Sequence, residues 1–489
     1  MASEWGLATT SAPTAAAGER VHRGIGFESM AEELRVDRLP VSGDLPEWLD
    51  GTLVRVTPAL LDIGGRPIRH WFDGLAMLNA FTLGGGRVAY ASRFLDSEAY
   101  REARKGHLNY LAFGSDPCRK LFKRLATLFH APANDNCNVN LTRLGERYVA
   151  MTESPLPLEF DPVTLETLGL RRFSDGVGGH VTSAHPHYDP ERDELVNYVT
   201  HFGPRSSYRV FALPSGAQER RPIASVDVSE PAYMHSFAMT ERYVVLVEFP
   251  LVVDPLRLVA SDRPFIHSFR WHPERGTWFQ VIDRHSGRLA GRFESEPFFA
   301  FHHVNAFERG EELVLDVVAY DDPSIISLLE VERLRGPGVT QICPGELRRY
   351  TIPADGGPVS STSLADTRME LPRINYSHSN TRDYRFVYAA AMADSASDWF
   401  DALVKVSVPG GPTTTWQEPG CYPGEPVFIP APGGCDEDAG VVASVVLDAG
   451  ARRSFLLLLD AATFDEVARA IVPHRIPFGF HGQYFREAG

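Results

Sequence analysis

Gly440-Val-Val-Ala-Ser-Val-Val-Leu447, then Arg453-Ser-Phe-Leu-Leu-Leu-Leu459, then Asp460-Ala-Ala-Thr-Phe-Asp465: two short apolar runs split by a turn and closed by an acidic phrase decide the fold class. The same grammar recurs along the chain. Arg87-Val-Ala-Tyr-Ala-Ser, Glu194-Leu-Val-Asn-Tyr-Val-Thr, Tyr243-Val-Val-Leu-Val-Glu, Glu312-Leu-Val-Leu-Asp-Val-Val and Arg385-Phe-Val-Tyr-Ala-Ala all read as strands. Glycine and proline are spread throughout, punctuating these runs rather than marking one boundary. Short strands separated by turns at regular intervals indicate an all-β barrel, sandwich or propeller. Thr82-Leu-Gly-Gly-Gly-Arg87 joins two such runs, so it reads as a hairpin and not as a phosphate-binding loop opening a helix.

An internal echo bears on the choice among the three. Asp161-Pro-Val-Thr-Leu-Glu and Asp460-Ala-Ala-Thr-Phe-Asp share the pattern Asp-x-x-Thr-apolar-acid, each between two strand-like runs. Aspartate caps its own turn by accepting backbone amides, so the phrase suits a hairpin between outer strands of a propeller blade. Two copies do not make a repeat, and no Trp-Asp signature is present.

A chain of 489 residues suggests about three domains by length alone. All-β assemblies run long as one unit, however. Residues 1–25, rich in Ala, Thr, Ser and Gly, are expected to be a flexible tail, and residues 26–489 a single domain. The net charge of −15 argues against a nucleic-acid partner. No apolar stretch is long enough to span a bilayer, and no secretory signal opens the chain. Five cysteines, Cys118, Cys137, Cys343, Cys421 and Cys435, form no CxxC pair and read as reduced thiols of a cytoplasmic protein.

Four histidines stand in recognisable phrases: His185 in Ser-Ala-His-Pro-His, His235 in Tyr-Met-His-Ser-Phe, His302 in Phe-His-His-Val-Asn-Ala-Phe-Glu, and His481 in Gly-Phe-His-Gly. Three glutamates do likewise: Glu153 in Met-Thr-Glu-Ser, Glu370 in Glu-Leu-Pro-Arg-Ile-Asn-Tyr, and Glu425 in Gly-Glu-Pro-Val-Phe. Neutral imidazoles bind first-row metals, and carboxylates behind them fix the rings and raise their basicity. Composition and spacing do not single out these residues among seventeen histidines; they show only that ligands are plentiful.

Phrase order supplies the selection. Gly51-Thr-Leu-Val-Arg, His70-Trp-Phe-Asp-Gly and Asp135-Asn-Cys-Asn-Val-Asn, together with the histidine phrases, recur in order from Gly51 to His481. Over that span the chain resembles the carotenoid cleavage oxygenases, which include the retinal-forming central cleavage enzymes and a retinoid isomerohydrolase. The resemblance implies a seven-bladed β-propeller with a helical cap over the face that carries the metal site, four inner strands each presenting one histidine. It implies that His185, His235, His302 and His481 hold Fe2+. His302 rather than His303 carries over as the ligand, and His180 and His187 do not. Glu153, Glu370 and Glu425 are implied to accept N–H groups from His235, His302 and His481 respectively, which leaves His185 without a carboxylate.

The implied enzyme is a carotenoid cleavage dioxygenase, a non-haem iron oxygenase. Carotenoid or apocarotenoid and dioxygen react without a reductant, giving aldehydes such as retinal. A stilbene-cleaving dioxygenase and a retinoid isomerohydrolase share the iron site and stand as alternatives. Val139 stands where apocarotenoid-cleaving members tend to carry Thr. Thr152 stands where stilbene-cleaving ones tend to carry Lys. Both place the oxygen and substrate site nearer the animal-type branch. Residues 117–130 carry Leu121, Phe122, Leu125, Leu128 and Phe129 at helical spacing, opposite Arg119, Lys120, Lys123 and Arg124. Such a basic amphipathic helix suits a membrane surface, making the protein a cytoplasmic, peripheral one. Ser115 departs from the Pro-Asp-Pro-Cys phrase of animal members, so modification of Cys118 is not implied.

Overall fold

The computed structural model describes residues 23–108, 112–115, 134–260, 263–336, 344–353, 355–393, 397 and 399–486. The run at Gly440 is a hairpin: Gly440–Asp448 pairs antiparallel with Arg453–Asp460, from Val441 opposite Asp460 to Asp448 opposite Arg453. Both faces of this hairpin are buried. Val441, Ala443, Leu456 and Leu458 pack against Leu53 and Phe81 of one neighbouring sheet. Val442, Val446, Leu457 and Leu459 pack against Tyr388 and Leu403 of the other. A sheet sandwiched between two others reads as a continuous apolar run instead of an alternating one. Each leucine so buried contributes roughly 1.5–3 kcal/mol.

The molecule is a β-propeller whose sheets follow one another along the chain. The second contains Asn140–Leu144, Arg147–Met151, Leu158–Phe160 and Thr167–Leu170 in simple meander order. The third runs from Val181–Thr182 and His187–Asp189 through Glu194–His201 and Ser206–Pro214 to Arg221–Val228. The fourth contains Ala238–Met239, Tyr243–Glu248, Thr277–Asp283 and Leu289–Ser295. A seven-stranded sheet follows, from Phe299–Arg309 to Thr413–Gln417. It consists of two meanders sharing the strand Ser360–Arg373, whose first part pairs with Gly345–Pro353 and whose last part pairs with Phe386–Ala391. The hairpin at Gly440 belongs to the last sheet. The first sheet closes the ring, because Gly51–Leu60 pairs with the C-terminal strand Gly482–Phe485.

The turn readings hold at atomic detail. Asp161 Oδ1 accepts the amides of Val163 and Thr164, and Asp460 Oδ1 those of Ala462 and Thr463. The residue after each threonine, Leu165 or Phe464, turns left-handed at φ 60° or 67°. Asp283 makes a third such turn with Ser286, followed by left-handed Gly287. Serine, glycine and arginine in place of threonine, an apolar residue and an acid hid it from the pattern. At the hairpin between Leu75–Gly84 and Arg87–Phe94, Gly85 and Gly86 have φ of 54° and 68°, which a two-residue turn matched to strand twist requires.

Helices among the described residues are short. Ser324–Leu328 and Val331–Arg335 lie beside the 3-10 turn Trp71–Asp73, tied to it by the Trp71 N–H on Leu329 O. No described helix is long and apolar enough to cross a membrane. The expected tail overlaps the 3-10 turn Arg23–Phe27, in which Arg23 and Ile25 are buried, so packing begins earlier than composition suggested. The basic segment 117–130 with Cys118, and Cys343, fall outside the described residues; Cys137, Cys421 and Cys435 are free thiols.

Candidate metal centre

Four ring nitrogens meet where the inner strands converge. The ligating atoms of His185, His235, His302 and His481 all lie within 4.8 Å of one another. His185 Nε2 is 3.0 Å from His235 Nε2, and His302 Nε2 is 3.1 Å from His481 Nε2. Only His302 lies within a regular strand, Phe299–Arg309, and there the pairing slips between Ala300 and His303. His185 occupies the break between Val181–Thr182 and His187–Asp189, His235 precedes Ala238–Met239, and His481 immediately precedes Gly482–Phe485. The expectation of four ligand-bearing strands is corrected accordingly. A flat ladder sends side chains to its two faces, whereas irregular backbone aims them at a shared point.

Each implied carboxylate stands behind its histidine. His235 Nδ1 donates to Glu153 Oε1 at 2.7 Å, His302 Nδ1 to Glu370 Oε2 at 2.5 Å, and His481 Nδ1 to Glu425 Oε1 at 2.7 Å. Among the described residues the His185 ring has no carboxylate partner; its backbone N–H donates to Ser183 Oγ. These bonds fix the tautomer. With the proton of His302 and of His481 on Nδ1, both Nε2 atoms present bare lone pairs, and they do so 3.1 Å apart. Two lone pairs so placed repel unless a cation lies between them. Two nitrogens bound to one ion at about 2.1 Å, roughly at right angles, are about 3 Å apart. The site therefore fits a metal ion, and its all-imidazole donor set suits a borderline first-row metal.

Burial disfavours the charged form of two of the rings. Burial first, then the neighbouring imidazoles, depress His185 and His481 well below the usual histidine value. Burial opposes the charge of Glu370, but His302, the Leu371 N–H and the Tyr320 hydroxyl together outweigh it and hold the carboxyl below its ordinary value. Leu371, left-handed at φ 54°, turns its own N–H back onto Glu370 Oε2 at 2.6 Å.

Sequence reasoning missed the groups that hold the glutamates. Tyr233 Oη donates to Glu153 and Tyr320 Oη to Glu370, each at 2.8 Å. Arg55 and Arg373 each lie 3.5 Å from a carboxylate oxygen of Glu425, which also accepts the Gly482 N–H besides His481. Tyr233 could have been found, since it sits two residues before His235. Of the histidines set aside, His303 Nδ1 is 2.8 Å from Ser236 Oγ and His187 Nε2 is 2.9 Å from Phe237 O; neither these nor His180 belongs to the cluster.

A cavity opens onto the cluster, walled chiefly by Trp71, Phe72, Phe301, Trp399, Phe478 and Phe480, with His235, His302 and His481 at the metal end. Val139 lines it beside them, and Val139 O accepts the His481 N–H. Thr152 is buried but is not part of the wall.

Known proteins carry the same arrangement of chain. Residues 27–486 match the family profile described as retinal pigment epithelial membrane protein, RPE65. The mitochondrial carotenoid-cleaving dioxygenase of Macaca fascicularis is 33% identical over 509 residues, covering 91% of this chain and 91% of its own. The beta,beta-carotene 15,15'-dioxygenase of Rattus norvegicus is 32% identical over 525 residues, covering 94% and 90%. The crystal structure of cobalt-substituted Synechocystis ACO, an apocarotenoid oxygenase, superposes with a TM-score of 0.84 at 29% identity, covering 96% of this chain and 99% of that one. Since both profile and relatives span almost all of the propeller, the chain belongs to the RPE65/carotenoid oxygenase family.

Proposed function

We propose that this protein is an iron(II)-dependent dioxygenase that cleaves a conjugated carbon–carbon double bond of a carotenoid or apocarotenoid into two carbonyl products, retinal among the candidates. The observation that carries the reading is the convergence of four imidazoles at one end of an otherwise aromatic and aliphatic cavity. The catalytic unit is residues 26–489 as one seven-bladed propeller, the two meanders of the long sheet counting as two blades, capped by the short helices beside Trp71–Asp73.

His185, His235, His302 and His481 would hold the iron. Ferrous ion supplies dioxygen activation at a site that four imidazoles leave with its full positive charge. The rest falls to the chain. Glu153, Glu370 and Glu425 keep Nδ1 protonated on three rings and so keep Nε2 free. The aromatic wall aligns a rigid polyene and excludes water that would compete for the centre. Val139 and Phe301 crowd the space next to His302 and His481, limiting which double bond can reach it. Thr152 stands in place of the lysine that stilbene-cleaving members tend to carry, which disfavours a stilbene substrate. The balance needs no reductant: both atoms of dioxygen end as carbonyl oxygens, one on each fragment.

A polyene substrate dissolves in lipid, and the basic amphipathic pattern at 117–130 suits collection from a membrane surface by a cytoplasmic, peripheral protein. The test is chromatography of products from iron-loaded protein given β-carotene, an apocarotenal, a retinyl ester and a phenolic stilbene, with and without oxygen. Oxygen-dependent aldehydes from the carotenoid or apocarotenoid are expected. Isomerised retinoid formed without oxygen, products from the stilbene alone, or no turnover would each overturn the reading.

A further inference from the structure

Of the three carboxylates behind the cluster, one has cations beside it. Glu425, its side chain 1% exposed, lies 3.5 Å from both Arg55 Nη1 and Arg373 Nε. Among the described residues no lysine or arginine pairs with Glu153 or Glu370, which tyrosine hydroxyls hold instead. The same two arginines grip the backbone on either side of His481. Arg55 Nη2 donates to Phe480 O at 2.8 Å, and Arg373 Nη2 to Gly482 O at 2.5 Å. They arrive from different sheets: Arg55 stands opposite Gly482 in the first, and Arg373 ends the long strand Ser360–Arg373. Arg55 is sealed in and also donates to Glu425 O, whereas Arg373 is 23% exposed and makes one backbone bond. One cation suffices to balance a buried carboxylate; two leave an excess positive charge beside His481.

We propose that Arg373 is a positioning residue, acting through Glu425 and His481, whose charge favours the ferrous over the ferric ion at the four-histidine centre. The inference rests on the iron reading above and adds what keeps that iron in the oxidation state that takes up dioxygen. Carboxylates behind imidazoles push electron density toward a metal and so favour its higher charge. Three of them stand behind this centre. A guanidinium at Glu425 offsets one push and repels a further positive charge on the ion. At about 10 Å and an effective dielectric of about 20, one such charge changes the ferric-to-ferrous ratio about ten-fold.

The test is a redox titration of iron-loaded protein without substrate, read by the paramagnetic resonance of the ferric ion, in wild type, Arg373→Gln and Arg373→Lys. One electron passes between iron and mediator, and no bond forms or breaks. At the poise that leaves wild-type iron half ferric, Arg373→Gln should hold about ten ferric ions per ferrous, and Arg373→Lys should return close to equality. An even ratio in Arg373→Gln would overturn the proposal. So would the same shift in both variants, which would show a role for shape and not for charge. Should Arg373→Gln hold no iron, Arg55→Gln carries the same test; loss of iron from both would show the pair only holding His481 in place, and overturns the proposal too. Wild type without iron would sink the iron reading and this one with it. The expected shift in a protein that cleaves no carotenoid would sink the dioxygenase reading and leave this one standing.

Discussion

Behind each of three imidazoles sits an anion that chooses which nitrogen carries the proton, and the centre depends on that choice. Glu370→Gln removes the charge while keeping the shape, and should weaken metal retention by about 10- to 100-fold in chelator competition. Retention equal to wild type would mean that His302 is held by packing alone. At this scale the sequence was informative in an uneven way. The four histidines and three glutamates were legible only as phrases shared with a family, because ligands drawn from different sheets follow no sequence spacing. Arg55, which donates to the backbone of Glu425 from 370 residues away, ends the quoted Gly-Thr-Leu-Val-Arg phrase, yet nothing in that phrase says that it reaches the site.

Short elements around the cavity carry a pH dependence of their own. His70 caps the turn Trp71–Asp73, accepting the Phe72 N–H on Nδ1 and donating from Nε2 to Ile326 O at 2.8 Å. Burial pushes its pKa from 6.5 down to about 4. Below pH 6.5 the unfolded chain therefore takes up a proton that the folded one refuses, and stability falls as pH falls, by about 1.4 kcal/mol per pH unit until about pH 4. His70→Gln should melt lower than wild type at pH 7 but lose less on going to pH 5. An unchanged loss would remove His70 from the account of acid sensitivity. Elements were the most legible level: the paired runs and the two aspartate turns fell where apolar and turn residues placed them. The ligand-bearing segments did not, because aiming an imidazole at the axis breaks the ladder that periodicity describes.

Ring closure couples the whole molecule to its metal centre. The strand that closes the first sheet, Gly482–Phe485, begins one residue after His481. Deleting residues 480–489 should lower the melting temperature by about 5–10 °C and abolish metal retention, whereas His481→Ala should lose the metal with little change in melting. Equal melting of the two variants would mean that closure adds little. Architecture itself was only half legible: strands buried on both faces give the same apolar runs in any closed β fold, so the resemblance, not periodicity, separated propeller from barrel and sandwich. The central claim is that four remote histidines form one iron site. Iron per chain after anaerobic loading and desalting tests it, in wild type, in alanine variants of His185, His235, His302 and His481, and in His187→Ala and His303→Ala. The account predicts about one iron in wild type and in the last two variants, and little in the other four. Full iron in any of those four, or loss from His187→Ala and His303→Ala alike, would contradict it.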